Sequence, residues 1–134
     1  WGNPYRLPSE SEWEYACRSG GEAQTYCGGN SPDNLGWYNQ NSSGKTHPVG
    51  RKKPNRLGLY DMTGNVSEYV EDCYFDSYMG APTNGAARTN NFCSNKVVRG
   101  GSILDYIQLE SRQRDFSAHK NRNLFVGFRL AQDH

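Results

Sequence analysis

Between Tyr26 and Arg56 the chain runs through glycine, asparagine, serine, proline and lysine with only scattered aromatics, and no apolar period emerges. Turn-forming residues recur too often there for a helix or strand to continue, so the stretch is predicted to be long irregular loop. Loop backbone cannot be buried without hydrogen-bonding partners, so these loops must be anchored locally. Trp37 and Tyr38 are the side chains placed to do so, and metal ions, disulfides or buried waters are the other usual anchors. Composition agrees: apolar residues make up only 34%, aromatics supply 13%, and there are 15 glycines. That is the profile of turns packed around an aromatic core, with no long helices.

The 134 residues are about one domain's worth. With 15 Lys+Arg against 14 Asp+Glu the formal charge is +1, so no global field draws the chain to nucleic acid or to a membrane surface. No apolar run reaches the roughly 18 residues that spanning a bilayer needs, and none has the form of a signal peptide. The chain opens at Trp1 rather than Met, as a processed product or one piece of a larger polypeptide would. The four cysteines, Cys17, Cys27, Cys73 and Cys93, show no zinc spacing. Three disulfide connectivities are open, and free buried thiols are the alternative; pairing Cys17 with Cys27 and Cys73 with Cys93 would close short loops. If bridges form, an extracellular or cell-surface location is implied.

The clearest helix signal lies at Tyr5–Gly21. Ser9 and Glu12 have capping-box spacing, Pro8 precedes the cap, and Gly20 follows the last plausible helical residue. Trp13, Ala16 and Cys17 share one face. After Gly64 the chain alternates, predicting a half-buried strand with Val66, Glu68 and Val70 on one face. Lys96–Ser102 reads as a strand broken by the pair Gly100 and Gly101, and Val126–Ala131 as a final strand.

Four stretches, YRLPSESEWEYACR at 5–18, PVGRKKPNRLGLYDMTGNVSE at 48–68, VVRGGS at 97–102 and GFRLA at 127–131, together resemble the formylglycine-generating-enzyme, or sulfatase-modifying-factor, family. They stand in the family's order and spacing over nearly the whole chain. The resemblance implies an α+β, C-type-lectin-like fold, loop-rich and with little regular secondary structure. Residues 1–134 would be the C-terminal portion of a single such domain, its N-terminal half being removed or carried on another chain.

Departures from the family pattern bear on function. The family's oxidase binds copper through two cysteines between the Gly-Gly-Ser turn and the Gly-Phe-Arg strand, yet 103–126 contains no cysteine. Soft thiolates are what Cu(I) requires, so no copper is expected. The family's iron-dependent relatives bind metal through histidines on a helical domain absent here, and His47, His119 and His134 have no i, i+4 partner. Ser67 and Tyr69 stand where the family usually has tryptophan.

The resemblance also maps a calcium position to Asp61, Gly64, Val66 and Glu68, two carboxylates with turn carbonyls being a fitting oxygen set for a hard cation. A weaker second position maps to Asn34, Leu35, Asn41 and Ser43. The segment 103–125 combines a framework of Leu109, Ser111, Arg114 and Arg122 with three intervening triplets. These are Leu104, Asp105 and Tyr106; Asp115, Phe116 and Ser117; and Asn123, Leu124 and Phe125. They occupy the positions that variable proteins of diversity-generating retroelements randomise on this same fold, and all nine residues are accessible to such mutagenesis. Aromatic and aliphatic side chains among acids and an amide, in predicted loops, have the composition of a recognition surface; the alternative is that these aromatics fill the core. Arg112, Arg114, Lys120 and Arg122 are expected to serve framework ion pairs and a solvated face.

The expectation is therefore a non-catalytic module binding a protein or small-molecule ligand through 103–125, possible retroelement diversification included. The alternative is a metal-dependent oxidoreductase whose site an N-terminal half completes.

Overall fold

The computed structural model describes residues 4–90, 93–106, 109–118 and 124–133. The capping box forms as the spacing predicts. Ser9 Oγ accepts from the Glu12 amide at 3.1 Å, and Glu12 Oε1 accepts from the Ser9 amide at 2.8 Å, opening helix α1 at Glu10–Cys17. The helix ends ahead of Gly20, whose φ of 94° side chains rarely tolerate. Trp13 and Cys17 point into the core with Cys27, Met62, Val70 and Val97, and Ala16 packs at its edge.

Strands β1 (Tyr5–Arg6) and β6 (Ala131–Gln132) pair with each other, while β2 (Ser67–Cys73), β3 (Asn95–Arg99), β4 (Arg114–Ala118) and β5 (Val126–Phe128) form a sheet ordered β4-β3-β2-β5. Alternation places Glu68, Val70 and Asp72 on the buried face of β2; Val66 precedes the strand rather than joining it. The run expected at 126–131 divides because Arg129 turns inward to Glu68, its Nε 2.5 Å from Oε1 and its Nη2 2.7 Å from Oε2.

One strand departs from the loop expected at 103–125. The sequence RDFSA has little intrinsic strand preference, yet all five residues of β4 align with β3, from Asn95↔Ala118 to Arg99↔Arg114. Pairing with a neighbouring strand here overrides local propensity.

The helix is fastened to the sheet by charge. Arg99, whose side chain is 0% exposed, pairs with Glu14 and donates Nη1 to the carbonyls of Ser111 and Gln113 at 2.9 and 3.2 Å. Its guanidinium also lies 5.2 Å from the Trp13 ring centroid. Arg114 on β4 grips Glu10 at 2.5 Å and 3.0 Å. The framework ion pairs expected of Arg112 and Arg114 are present, Arg112 with Glu110 and Arg114 with Glu10; Lys120 and Arg122 lie outside the described residues.

Both disulfides take the local pairing, Cys17–Cys27 inside the core and Cys73–Cys93 closing the loop after β2. The long loops interlock through glycine. A Cβ on Gly36 would stand 1.7 Å from the Thr63 carbonyl oxygen, and one on Gly64 2.2 Å from that of Trp37. The Asn65 amide reaches the Trp37 carbonyl at 2.6 Å across this crossing.

Two outcomes follow from the charge arrangement. Arg99→Leu strands the Ser111 and Gln113 carbonyls, Glu14 keeping Arg18, and is expected to cost about 1–3 kcal/mol in urea unfolding; a loss under about 0.5 kcal/mol would show that the guanidinium is dispensable. The Arg6 guanidinium lowers the Glu12 carboxyl from 4.5 to about 2. A depressed carboxyl stabilises the fold above its unfolded value and loses that contribution as pH falls towards the folded one. Glu12→Gln should therefore flatten the acid limb of the stability profile between those values; an unchanged limb contradicts the assignment.

Candidate recognition surface

Strand register decides where the three triplets meet. Glu68 lies opposite Arg99, Ser67 opposite Val126, and Arg99 opposite Arg114. The start of β2, the end of β3 and the starts of β4 and β5 therefore share one end of the sheet. The first triplet follows β3 after the glycine pair, the second begins one residue into β4, and the third runs directly into β5. Pairing thus brings the start of β4 and the entry to β5 to the end of the sheet from which 104–106 leaves, while Ser117, opposite Lys96, lies towards the other end.

Within the rim the side chains divide. Leu104, Tyr106, Phe116 and Leu124 are exposed, Leu124 at 88% and Tyr106 at 59%. Asp105 between the first two is a turn residue. Its Oδ2 accepts from the Ser102 amide at 2.7 Å and the Ser102 hydroxyl at 3.2 Å, and its carbonyl accepts from the Asn39 amide at 3.1 Å. Phe125 is half-buried, and its carbonyl receives the Ser67 amide at 2.9 Å. Asn123 lies outside the described residues, as do His119 and His134.

Because the second triplet is strand rather than loop, its side chains alternate. Phe116 lies opposite Val97 on the helix side, its ring 4.7 Å from that of Tyr74. Asp115 and Ser117 face the other way. There the Tyr69 hydroxyl donates to Ser117 Oγ at 3.2 Å, and Asp115 Oδ1 accepts from the Phe116 amide at 2.8 Å. Tyr69 is a rim residue that composition alone did not single out; the signal was present in its standing at a position usually held by tryptophan.

Three residues of the first calcium position, Asp61, Val66 and Glu68, line a groove of about 370 Å3 together with Arg129, whereas Gly64 is not in its walls. Asp61, at φ 57°, accepts the Gly50 amide on Oδ2 at 2.8 Å, while its Oδ1 is buried with no hydrogen-bond partner. An orphaned buried carboxylate oxygen is costly, and among the described residues no group of three or more histidine, cysteine, aspartate or glutamate side chains surrounds a common point. Glu68 is already engaged by Arg129 and by Trp13 Nε1 at 3.0 Å. At the second position the protein uses the oxygens itself. Asn41 Oδ1 accepts from the Tyr38 amide at 2.8 Å, its Nδ2 donates to the Gly36 carbonyl at 3.0 Å, and the Asn34 carbonyl takes the Lys53 amide at 2.9 Å. His47, the one described histidine, stacks on Trp37 with ring centroids 3.7 Å apart, and its ring nitrogen meets the Ser42 carbonyl at 2.8 Å. It works as a loop anchor.

Known proteins share this fold. The model of the sulfatase-modifying factor enzyme 1-like domain matches residues 1–134. Treponema denticola variable protein 1 superposes with a TM-score of 0.85 at 37% identity, covering 96% of this chain and 47% of that one. PvdO from Pseudomonas aeruginosa superposes with a TM-score of 0.83 at 34% identity, covering 97% and 53%. The formylglycine-generating enzyme of Mycobacterium tuberculosis is 36% identical over 153 residues, covering 96% of this chain and 51% of the enzyme. The chain thus spans about half the length of these relatives.

The division of labour at the rim is open to measurement. Asp105→Ala removes acceptors for two donors of Ser102 and is expected to lower stability by about 1–2 kcal/mol. Tyr106→Ala and Leu124→Ala should each stay within about 0.5 kcal/mol of the parent in thermal melts. Equal losses at all three positions would mean that the exposed side chains are structural.

Proposed function

The chain belongs to the sulfatase-modifying-factor family of formylglycine-generating-enzyme-like domains, and from that membership we propose that it is a non-catalytic binding module that recognises its ligand with the 103–125 rim. The observation that carries this reading is the pairing of exposed anchors with structural neighbours. Leu104, Tyr106 and Leu124 spend their apolar surface on solvent, while Asp105 and Phe125 between them hold the backbone and Phe116 packs beside Tyr74 on the other flank. Isolated exposed apolar residues need no explanation, but several at one rim have the character of a recognition site. Likeness to Treponema denticola variable protein 1 supports the further proposal that the three triplets are diversified positions.

The cysteine count supports the same reading. All four are consumed in Cys17–Cys27 and Cys73–Cys93, and no cysteine follows Cys93. Copper-dependent oxidation would lack its thiolate ligands. Two disulfides are compatible with an oxidising compartment, and an extracellular or cell-surface location is proposed on that basis. A calcium ion, if bound, would be held by Asp61 Oδ1 with the carbonyls of Gly64 and Val66, Glu68 being shared with Arg129; its contribution would be to tie the loop ahead of β2 to the sheet.

Three measurements test these statements. Purified chain given copper and a cysteine-containing sulfatase peptide should leave the peptide mass unchanged; formation of formylglycine overturns the non-catalytic reading. Selection of a displayed random-peptide library on the chain should yield binders that lose at least about tenfold affinity to a Tyr106→Ala, Leu124→Ala double variant and none to Tyr15→Ala, an exposed residue away from the rim. Binders indifferent to the rim changes would sink the assignment. Millimolar calcium should raise the melting temperature of the parent but not of Asp61→Ala; coincident melts with calcium and with chelator refute the cation position.

A further inference from the structure

We propose that Asn84 is a self-modifying site, where the chain closes a succinimide with its own Gly85 amide and water reopens it to aspartate and isoaspartate. Asn84 and Gly85 form the only Asn-Gly pair in the sequence. Ring closure needs the nitrogen of the following residue to reach the asparagine side-chain carbonyl carbon, and a Cβ on that residue hinders the approach. Gly85 has none, and its φ of 83° is one that other residues rarely adopt. Asn84 is exposed, so water has access to the ring once it forms.

The turn also prepares the reacting groups. The Gly85 amide makes no hydrogen bond among the described residues. At Asn41 and Asn55 the following amide is held instead, that of Ser42 by the Tyr38 carbonyl at 3.0 Å and that of Arg56 by Ser19 Oγ at 3.2 Å. Asn84 Oδ1 accepts from the Ala86 amide at 3.1 Å, closing an Asx turn. The Gly85 nitrogen loses its proton to a solvent base and bonds to Cγ, and negative charge collects on Oδ1, where the Ala86 N–H already donates. Collapse of that intermediate breaks the Cγ–Nδ2 bond and releases ammonia, its last proton coming from solvent. Water then adds to one of the two ring carbonyls. Opening one C–N bond gives aspartate; opening the other gives isoaspartate, with the main chain rerouted through the side chain and longer by one methylene.

Position decides what the change does. The Gly85 carbonyl accepts the Ser9 hydroxyl at 2.7 Å, which turns the lone pairs of Ser9 towards the Glu12 amide that it caps. Just beyond, Asp72 takes the Glu10 amide at 2.7 Å and the Arg88 amide at 2.8 Å, pinning the chain that follows Gly85. On the other side Tyr78 donates to Glu10 at 2.8 Å, and Arg88 Nη1 to the Ser77 carbonyl at 3.0 Å. The extra methylene enters between these anchored stretches, next to the carbonyl that Ser9 uses, and shifts it. The new carboxylate joins Glu12 and Glu71 on one groove, where Arg6 is already committed to Glu12 and Asp133. Conversion at an exposed turn thus loosens the start of α1.

The experiment ages the purified chain at mildly alkaline pH and follows residue 84 by peptide mass mapping and by labelled methyl transfer with an isoaspartyl methyltransferase. Position 84 is expected to convert about tenfold or more faster than any other asparagine, at a rate that rises with hydroxide. Gly85→Ala, whose Cβ would meet nothing within 4 Å, should slow it by about tenfold or more. The isoaspartyl form, separated by chromatography, should melt about 3 °C or more below the parent, and Asn84→Asp, with the same charge on an ordinary main chain, closer to it. An amide that persists at 84 while other asparagines convert, or an unchanged rate in Gly85→Ala, overturns the site. Coincident melts of the isoaspartyl form and the parent overturn its effect on the helix.

Discussion

Arg99 carries a full positive charge with none of its side chain exposed, and the rest of the sheet–helix packing is arranged around satisfying it. Removing such a group from water costs several kcal/mol unless every direction offers compensation. Here Glu14 supplies the countercharge, the Ser111 and Gln113 carbonyls supply acceptors, and Trp13 supplies a π face; only Nε is left without a hydrogen-bond partner, 3.9 Å from Glu10 Oε1. The compensation comes from two pieces of the fold, helix α1 with Glu14 and Trp13, and the 109–113 loop with its carbonyls. The helix must dock with its acids inward, the 109–113 loop must turn its carbonyls towards β3, and β4 must begin where Arg114 can take Glu10. One buried guanidinium thereby ties the helix and the 109–113 loop to β3, while Arg114 ties β4 to the helix through Glu10.

Glu68 has the complementary role from β2. It holds Arg129 with both oxygens and the Trp13 indole with one, so the carboxylate joins helix, central strand and C-terminal segment. In a chain with 34% apolar residues, hubs of this kind do work that a larger protein assigns to its core. The cost is specificity of position. A charged hub tolerates no displacement, which is consistent with loops crossing so closely at Gly36 and Gly64 that neither site has room for a Cβ.

Much of this was legible in the sequence where the signal is local. The capping box from Ser9 and Glu12, the alternation through Glu68 and Val70, and the glycine break after Arg99 each depend on residues within a few positions of one another. Strand β4 was not legible, because RDFSA becomes a strand only through its register with β3. That miss altered the candidate site: a loop would present Asp115, Phe116 and Ser117 together, whereas the strand sends Phe116 to one side and its neighbours to the other. The turn bonds of Asp105 were not legible either, since its partners Ser102 and Asn39 identify themselves only once the turn closes. The Glu68–Arg129 pair spans 61 residues, beyond the reach of any pattern within one segment.

The division of β4 between two sides changes what mutation at the rim can accomplish. Exchanging Asp115 or Ser117 re-letters a flank shared with Tyr69, while exchanging Phe116 re-letters the flank beside Tyr74. Three consecutive codons thus address two separate vocabularies, and the strand they sit in stays the same word because its main chain, not its side chains, spells the pairing with β3.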